Sequence, residues 1–308
     1  MRVLSRRAFS ACREFLEATA RPVELAGFRH AFLGAPTQPV LDALREFRND
    51  DGGFGHALEP DLRTPDSSAL CTSVALRILR LLEISREHAF VSGSIGFLLA
   101  SLDRGRCGWR IIPETAESSP RAPWWYQRGR EESFDAFSLN PTAEILGYLF
   151  DHRERVGQEV VSAVSDRVFS ELDRPLDLEM HELLCCLRLF RTRDLPENLR
   201  GRLHARLIQS IKDTVACDPE DWRGYSLRPL QVADAPDSPF VAGLRDAVAE
   251  NLDYVIASQN ADGSWTPTWS WDDSFPEAWA KAKDEWSGVI TLDNLLTLEG
   301  FGRIEGSA

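Results

Sequence analysis

Apolar residues recur along this chain with the period of an α-helix, and the alternating pattern of a half-buried strand is almost absent. Phe9, Cys12 and Leu16 share one face of a first amphipathic helix. Val248 and Leu252 begin another apolar series, with spacings of three and four residues. The pattern therefore predicts an all-α protein.

Other segments are apolar on nearly every face, which is typical of helices that are buried on both sides. These segments are Ser67–Ile84, Asn140–His152, Leu178–Phe190 and Ser287–Phe301. Each is expected to be an inner helix that packs between its neighbours.

Short glycine-containing turns with an aromatic residue separate the helical segments. The clearest are RNDDGGFG at 48–55 and SQNADGSW at 258–265, with weaker copies RGRCGWR at 104–110 and CDPEDWRGY at 217–225. Glycine supplies the positive φ that such turns require. We interpret the turns as structural elements rather than as catalytic ones.

The spacing of the aromatic residues in these turns indicates an internal repeat. Phe54, Trp109, Trp222 and Trp265 are separated by 55, 113 and 43 residues. A period near fifty accounts for all three spacings if one copy has lost its turn, and six such units of about 51 residues fill the chain. Each unit would consist of an outer helix, a turn and an inner helix.

The segment YVIASQNADGSW, Tyr254–Trp265, resembles the QW motif of squalene-hopene and oxidosqualene cyclases. This resemblance implies the terpenoid cyclase and protein prenyltransferase superfamily, whose fold is an (α/α)6 toroid of six outer and six inner helices. It predicts one toroid domain over residues 1–308. The stretches NDDGGFGHALEPDL, APWW and NPTAEILGYL are also similar to a bacterial branch of this class without an assigned reaction.

The same resemblance suggests a catalytic acid. Class II cyclases protonate an alkene with the middle carboxyl of an Asp-x-Asp-Asp motif at the start of an inner helix, and burial keeps that acid protonated. The matching region here is Glu59–Ala69, with Asp66 as the candidate donor and His56, Glu59 and Asp61 as its polar surroundings. The triple-carboxylate motif itself is not intact.

Asp66 has a simpler alternative role as the N-cap of the helix that begins at Ser67 or Ser68. The sequence favours this capping role over the role of a catalytic acid.

Two loops, Arg121–Gly129 and Ser264–Trp279, hold most of the tryptophans. Trp124, Trp125 and Trp271 would line a cavity and stabilise carbocations through their ring faces. The alternative is that they cover helix ends and plug the ring. Adjacent carboxylates at Asp272 and Asp273 form a second candidate acid pair.

Net charge and cysteine content limit the partners and the cellular compartment that we expect for this protein. A net charge of −13 argues against nucleic acid and against anionic membrane surfaces as partners. No apolar run approaches the ~20 residues of a membrane span, and the six cysteines are expected to be reduced in the cytoplasm. His181 and Cys185 share a helical face, but two ligands do not make a zinc site, so neither metal nor cofactor is predicted.

Two functions are compatible with the sequence. The first is a class II-type isoprenoid cyclase or isomerase that protonates an alkene in an apolar central cavity. The alternative is a non-catalytic toroid that binds a hydrophobic small molecule or a peptide. Chain length is the feature that discriminates between the two, because 308 residues make one toroid and triterpene cyclases use two.

Overall fold

The computed structural model describes residues 1–175 and 177–306 and is all-α, as the sequence predicts. The described residues form isolated bridges but no β-strand. The helices are α1 (Arg6–Thr19), α2 (Pro22–Leu33), α3 (Gln38–Arg45), α4 (Ala69–Leu81), α5 (Ala89–Ala100), α6 (Glu131–Asp135), α7 (Leu139–Asp151), α8 (Arg153–Val156), α9 (Gln158–Leu172), α10 (Met180–Phe190), α11 (Glu197–Thr214), α12 (Pro229–Val232), α13 (Val241–Ala257) and α14 (Pro276–Gly300). None of the helices within the described ranges combines the length and the apolar character needed to cross a bilayer.

The chain divides into two compact units, and the prediction of a single toroid domain stays a prediction. Unit 1 contains Met1–Glu46 and the chain from Val215 onward, whereas unit 2 is Phe47–Thr214.

Unit 2 is a two-layered arrangement of helices. One layer consists of α4, α7 and α10, which contact one another in that order. In the second layer, α5 packs on α4, α9 on α7 and α11 on α10. Helix α7 is buried at Leu139 and from Pro141 to Phe150, because its apolar face continues nearly all the way round. The segments that the sequence marks as apolar on every face thus include the central helices of this unit.

Unit 1 is organised around its longest helix. Helix α14 contacts both α1 and α2, while α3 packs on α2 and α12 packs on α13. The sequence predicts a helix from Ser287 only, whereas α14 begins at Pro276. Proline is favoured in the first turn of a helix, so the residues after Phe275 extend the helix into the predicted tryptophan loop.

The first glycine turn is held by three hydrogen bonds. The Asn49 N–H donates to the Gly53 carbonyl at 3.0 Å, and the Gly52 N–H donates to the Asn49 carbonyl at 3.0 Å. The Gly53 N–H donates to the Asp51 carboxylate at 2.9 Å. The turn then ends at Phe54, whose N–H donates to the buried hydroxyl of Thr72 on α4 at 3.0 Å.

The second turn repeats this pattern position by position in unit 1. Asn260, Gly263 and Ser264 form the same two main-chain bonds, at 2.9 and 3.0 Å. The Ser264 N–H donates to the Asp262 carboxylate at 3.0 Å. The Trp265 N–H donates to the Thr291 hydroxyl on α14 at 3.1 Å. The same local geometry therefore connects each turn to a threonine of a following helix.

A close main-chain approach explains why both turns need glycine. Gly52 has φ of 87° and Gly263 has φ of 91°. A Cβ at Gly52 would lie 2.6 Å from the carbonyl oxygen of Gly93 on α5, and one at Gly263 would lie 2.2 Å from the carbonyl carbon of Ala11 on α1. The third turn uses Cys107 at positive φ, 54°, in place of glycine.

Candidate functional site

Asp66, the candidate proton donor, lies on the surface of unit 2. An exposed carboxylate is not enclosed by apolar side chains, as the donor of a class II cyclase has to be. The predicted capping role of Asp66 is also wrong, because the N-cap of α4 is Ser68. The Ser68 hydroxyl accepts from the Cys71 N–H at 2.9 Å, and its extended main chain lets the helix start at Ala69.

The other predicted polar residues of this segment differ in exposure. His56 is exposed, has φ of 52°, and its Nε2 lies 2.9 Å from the side-chain oxygen of Asn49. Glu59 is half-buried, and Asp61 is buried. The main-chain carbonyl of Asp61 accepts from the Ala122 N–H at 2.9 Å, so this segment lies beside the first tryptophan loop.

Trp124 and Trp125 lie on a short 3-10 turn, Pro123–Trp125, and line a recess in unit 2. The recess has a volume of about 160 Å³ and is also lined by the aromatic residues Trp109 and Phe134 and by the polar residues Arg130, Ser133, Ser138 and Asn140. We call this opening the tryptophan recess. Trp109 and Phe134 are buried, whereas Trp124 is 37% exposed, so the Trp124 ring is an accessible part of the recess.

The remaining predicted residues belong to unit 1. Trp271 is fully buried and packs against Trp279 with ring centroids 5.8 Å apart. Asp272 and Asp273 are exposed, and the Asp272 carboxylate accepts from the Ser270 hydroxyl at 2.9 Å. Burial of Trp271 makes it part of the core of this unit.

A buried ionic cluster, which the sequence analysis missed, joins the three central helices of unit 2. Glu144 on α7 has only 1% of its side chain exposed. It accepts two hydrogen bonds from Arg77 on α4, at 3.1 and 3.0 Å, and one from Arg188 on α10 at 3.0 Å. The Tyr148 hydroxyl donates a further bond to Glu144 at 2.7 Å. We call these four residues the arginine–glutamate cluster.

The cluster keeps its carboxylate ionised. Burial alone would raise the pKa of Glu144, but the charges of Arg188 and Arg77 and the bonds from Arg77 and Tyr148 lower the pKa to about 2. Burial and the neighbouring carboxylate raise the pKa of Tyr148, so its hydroxyl remains a donor. Two guanidinium groups thus face one carboxylate, and the cluster carries one surplus positive charge.

The cluster lies close to the tryptophan recess. The Cys185 thiol donates to the side-chain oxygen of Asn140, a recess residue, at 3.5 Å and lies 4.0 Å from Nη1 of Arg188. Burial, followed by the charge of Glu144, raises the pKa of Cys185 to about 12, so the thiol is neutral. Aromatic walls and a cationic group therefore occur near the same end of α7.

The sequence contains a signal for this cluster. Arg77, Glu144 and Arg188 each interrupt a helix that is otherwise apolar on most faces. A charged residue in such a helix is seldom buried without a partner. Sequence alone does not say which charges meet.

Within the described residues, no group of three or more His, Cys, Asp or Glu side chains could hold a metal ion. His181 lies 4.0 Å from Glu179, while Cys185 and Cys186 are buried core thiols.

Comparison with models of known protein families gives no match. No curated protein shows significant similarity to the chain. Assignment of a function therefore depends on the site itself.

Proposed function

We propose that this protein binds a small molecule with an apolar end, and that the tryptophan recess receives that end without catalysing a reaction. The observation that carries this proposal is the recess lining: three indoles and one phenyl ring lie in it beside the polar side chains of Arg130, Ser133, Ser138 and Asn140. Ligand sites are concave and mostly apolar, with a few polar groups that orient the ligand.

The size of the recess limits the ligand. Its volume of about 160 Å³ lies below the ~300–1,000 Å³ of pockets that enclose a drug-sized molecule. It therefore suits one end of an isoprenoid chain or one apolar side chain of a peptide. Flat aromatic walls favour branched or unsaturated groups that stack on them.

We also propose that the chain has the α/α toroid fold that the resemblance implies. In unit 2, the buried helices α4, α7 and α10 alternate along the chain with α5, α9 and α11, which supports this arrangement. Outer helices would be α1, α3, α5, α9, α11 and α13, and inner helices would be α2, α4, α7, α10, α12 and α14. An experimentally determined structure tests this order of helices.

Isothermal titration with geraniol and farnesol tests ligand binding. Trp124→Ala removes an accessible wall of the recess and is expected to weaken binding about tenfold, since burial of an aromatic contact contributes roughly 1–3 kcal/mol. Phe275→Ala is the matched control, because Phe275 is 38% exposed and Trp124 is 37% exposed. Equal losses in both variants, or no binding to the wild-type protein, would reject the proposal.

A second candidate is the isoprenoid cyclase or isomerase activity, with a different acid from the one expected. Asp61 is 3% exposed and is connected through Ala122 to the tryptophan loop, which favours it over the exposed Asp66. Glu59 and His56 would supply polar groups nearby. Incubation with linear C15 to C30 isoprenoids, with and without diphosphate, tests this activity. A product that the Asp66→Asn variant forms and the Asp61→Asn variant does not form would support the cyclase or isomerase activity. Absence of any product across the panel would reject that activity.

A further inference from the structure

The arginine–glutamate cluster contains more hydrogen-bond donors than its carboxylate uses. Arg77 uses Nε and Nη2 for Glu144, and Arg188 uses Nη1. Within the described part of the chain, Nη1 of Arg77 and both Nε and Nη2 of Arg188 donate to no protein acceptor. Charged donors of this kind can form strong bonds to an oxyanion.

The two guanidinium groups are also close together. Nη2 of Arg77 and Nη1 of Arg188 each lie 3.0 Å from the same Glu144 oxygen, so the two nitrogens are at most 6.0 Å apart. These two nitrogens bond Glu144, and the unused donors belong to the same two guanidinium groups.

The guanidinium groups are accessible, although their surroundings exclude much of the solvent. The side chain of Arg77 is 42% exposed and that of Arg188 is 27% exposed. Desolvation is nevertheless the largest single influence on the pKa of Arg77 and lowers it. The charge of Glu144 outweighs this effect together with the other contacts, so the pKa is raised overall. Attraction between opposite charges is stronger between partly desolvated groups than on an open surface.

The charge of Arg80, which also contacts the Tyr148 ring, does not change the surplus. Arg80, next along α4, pairs with Asp151 at 2.6 Å and lies 4.3 Å from the centre of the Tyr148 ring. That pair is neutral as a whole, so the cluster keeps its net positive charge. An anionic ligand would restore neutrality.

We propose that Arg77 and Arg188 bind the oxyanion head group, a carboxylate or a phosphate, of the ligand whose apolar end occupies the tryptophan recess. This inference rests on the proposed function, because it assigns the second end of the same ligand. The contact of Cys185 with both Asn140 and Arg188 places the recess and the cluster side by side. The preferred ligand is thus a short amphiphile with one anionic end.

A series of ligands with one apolar chain tests this assignment. Geraniol, geranic acid and geranyl phosphate share a C10 chain and differ in the head group, and isothermal titration gives the affinity of each. We expect the wild-type protein to bind one of the two anions at least about tenfold more tightly than the alcohol. The better of the two distinguishes a carboxylate ligand from a phosphate ligand.

The decisive variant is Arg188→Gln, because Glu144 keeps both bonds from Arg77 and the buried charge stays paired. The ratio of anion affinity to alcohol affinity is expected to fall to about one in Arg188→Gln and to recover in Arg188→Lys. Arg86→Gln removes the same formal charge from a surface pair with Asp194 and should keep the wild-type ratio. Circular dichroism and the melting temperature of each variant confirm that it is folded.

The outcomes separate this inference from the proposed function. Equal binding of alcohol and anions by the wild-type protein overturns the oxyanion site and leaves the tryptophan recess as a binding site. An anion preference that survives in Arg188→Gln, or that Arg86→Gln also removes, overturns it as well. Absence of binding by all three ligands rejects the proposed function, and the inference with it.

Discussion

Arg77 donates two hydrogen bonds to the carboxylate of Glu144, at 3.1 and 3.0 Å, across 67 positions of the chain. This pair connects α4 to α7 through a buried carboxylate, and Arg188 extends it to α10. The ionic contact and the surrounding apolar faces therefore hold the same three helices together.

Replacement of Glu144 by glutamine should destabilise the protein strongly. Removing one partner of a buried ion pair leaves charge uncompensated, which costs about 3–5 kcal/mol. We expect about 3 kcal/mol, the lower end, because both arginines are partly exposed. Urea denaturation measures the free energy of unfolding. Glu159→Gln, at an exposed position of α9, is the control and should change it by less than about 0.5 kcal/mol.

The contribution of Glu144 should also depend on pH. Its pKa is lowered from 4.5 to about 2 in the folded protein. The unfolded chain therefore takes up a proton near pH 4.5, whereas the folded protein stays ionised until about pH 2. The stabilisation is present above pH 4.5 and is lost as the pH falls towards 2. The stability difference between wild type and Glu144→Gln should narrow across this window, and a constant difference would contradict the assigned pKa.

A second pH-dependent contact lies in unit 1. Burial would raise the pKa of Asp253, but hydrogen bonds from the Arg2 N–H and the Arg303 side chain lower it from 3.8 to about 2. The contribution of Asp253 to the free energy of unfolding is thus present above pH 3.8 and is lost as the pH falls towards 2. Asp253→Asn should unfold at a lower temperature than wild type at pH 7, and this gap should close near pH 2. Thermal melts at several pH values provide the measurement.

Alanine at either turn glycine should be destabilising. Gly52 and Gly263 both have positive φ, and a Cβ added at either position would make contacts below 3 Å. Both features disfavour an alanine side chain. We expect losses of more than about 1 kcal/mol for each. Gly201→Ala is the contrasting variant, because Gly201 lies within α11 with no atom within 4 Å of the added carbon. That substitution should stabilise by up to about 1 kcal/mol.

Loss of the threonine acceptor should also destabilise the protein. Thr72→Val keeps the shape of the side chain but leaves the Phe54 N–H buried without its acceptor. An unsatisfied buried donor costs about 1–3 kcal/mol. Thr115→Val, at an exposed position, serves as the control. Equal stability of both variants would show that the turn does not depend on this bond.

The sequence predicted the helices well because helical periodicity is a local property. It placed the buried helices α4, α7 and α10 nearly at their observed bounds and identified two turns that share one hydrogen-bond pattern. The start of α14 was missed, because Pro276 follows a tryptophan-rich stretch that looks like a loop.

The candidate site was harder to predict because it depends on tertiary packing. The exposure of Asp66 and the burial of Trp271 follow from how whole helices pack, not from adjacent residues. The ionic cluster combines residues 67 and 44 positions apart. Single charges in apolar helices signal such a cluster, but only the structure pairs them.

Photo-crosslinking tests the tryptophan recess as a ligand site most directly. A geraniol analogue with a diazirine at its apolar end is irradiated with the wild-type protein, and adducts are mapped by mass spectrometry. We predict adducts at Trp109, Trp124, Trp125 and Phe134 that excess geraniol suppresses. Adducts that avoid these residues, or that excess geraniol leaves unchanged, would contradict the proposal.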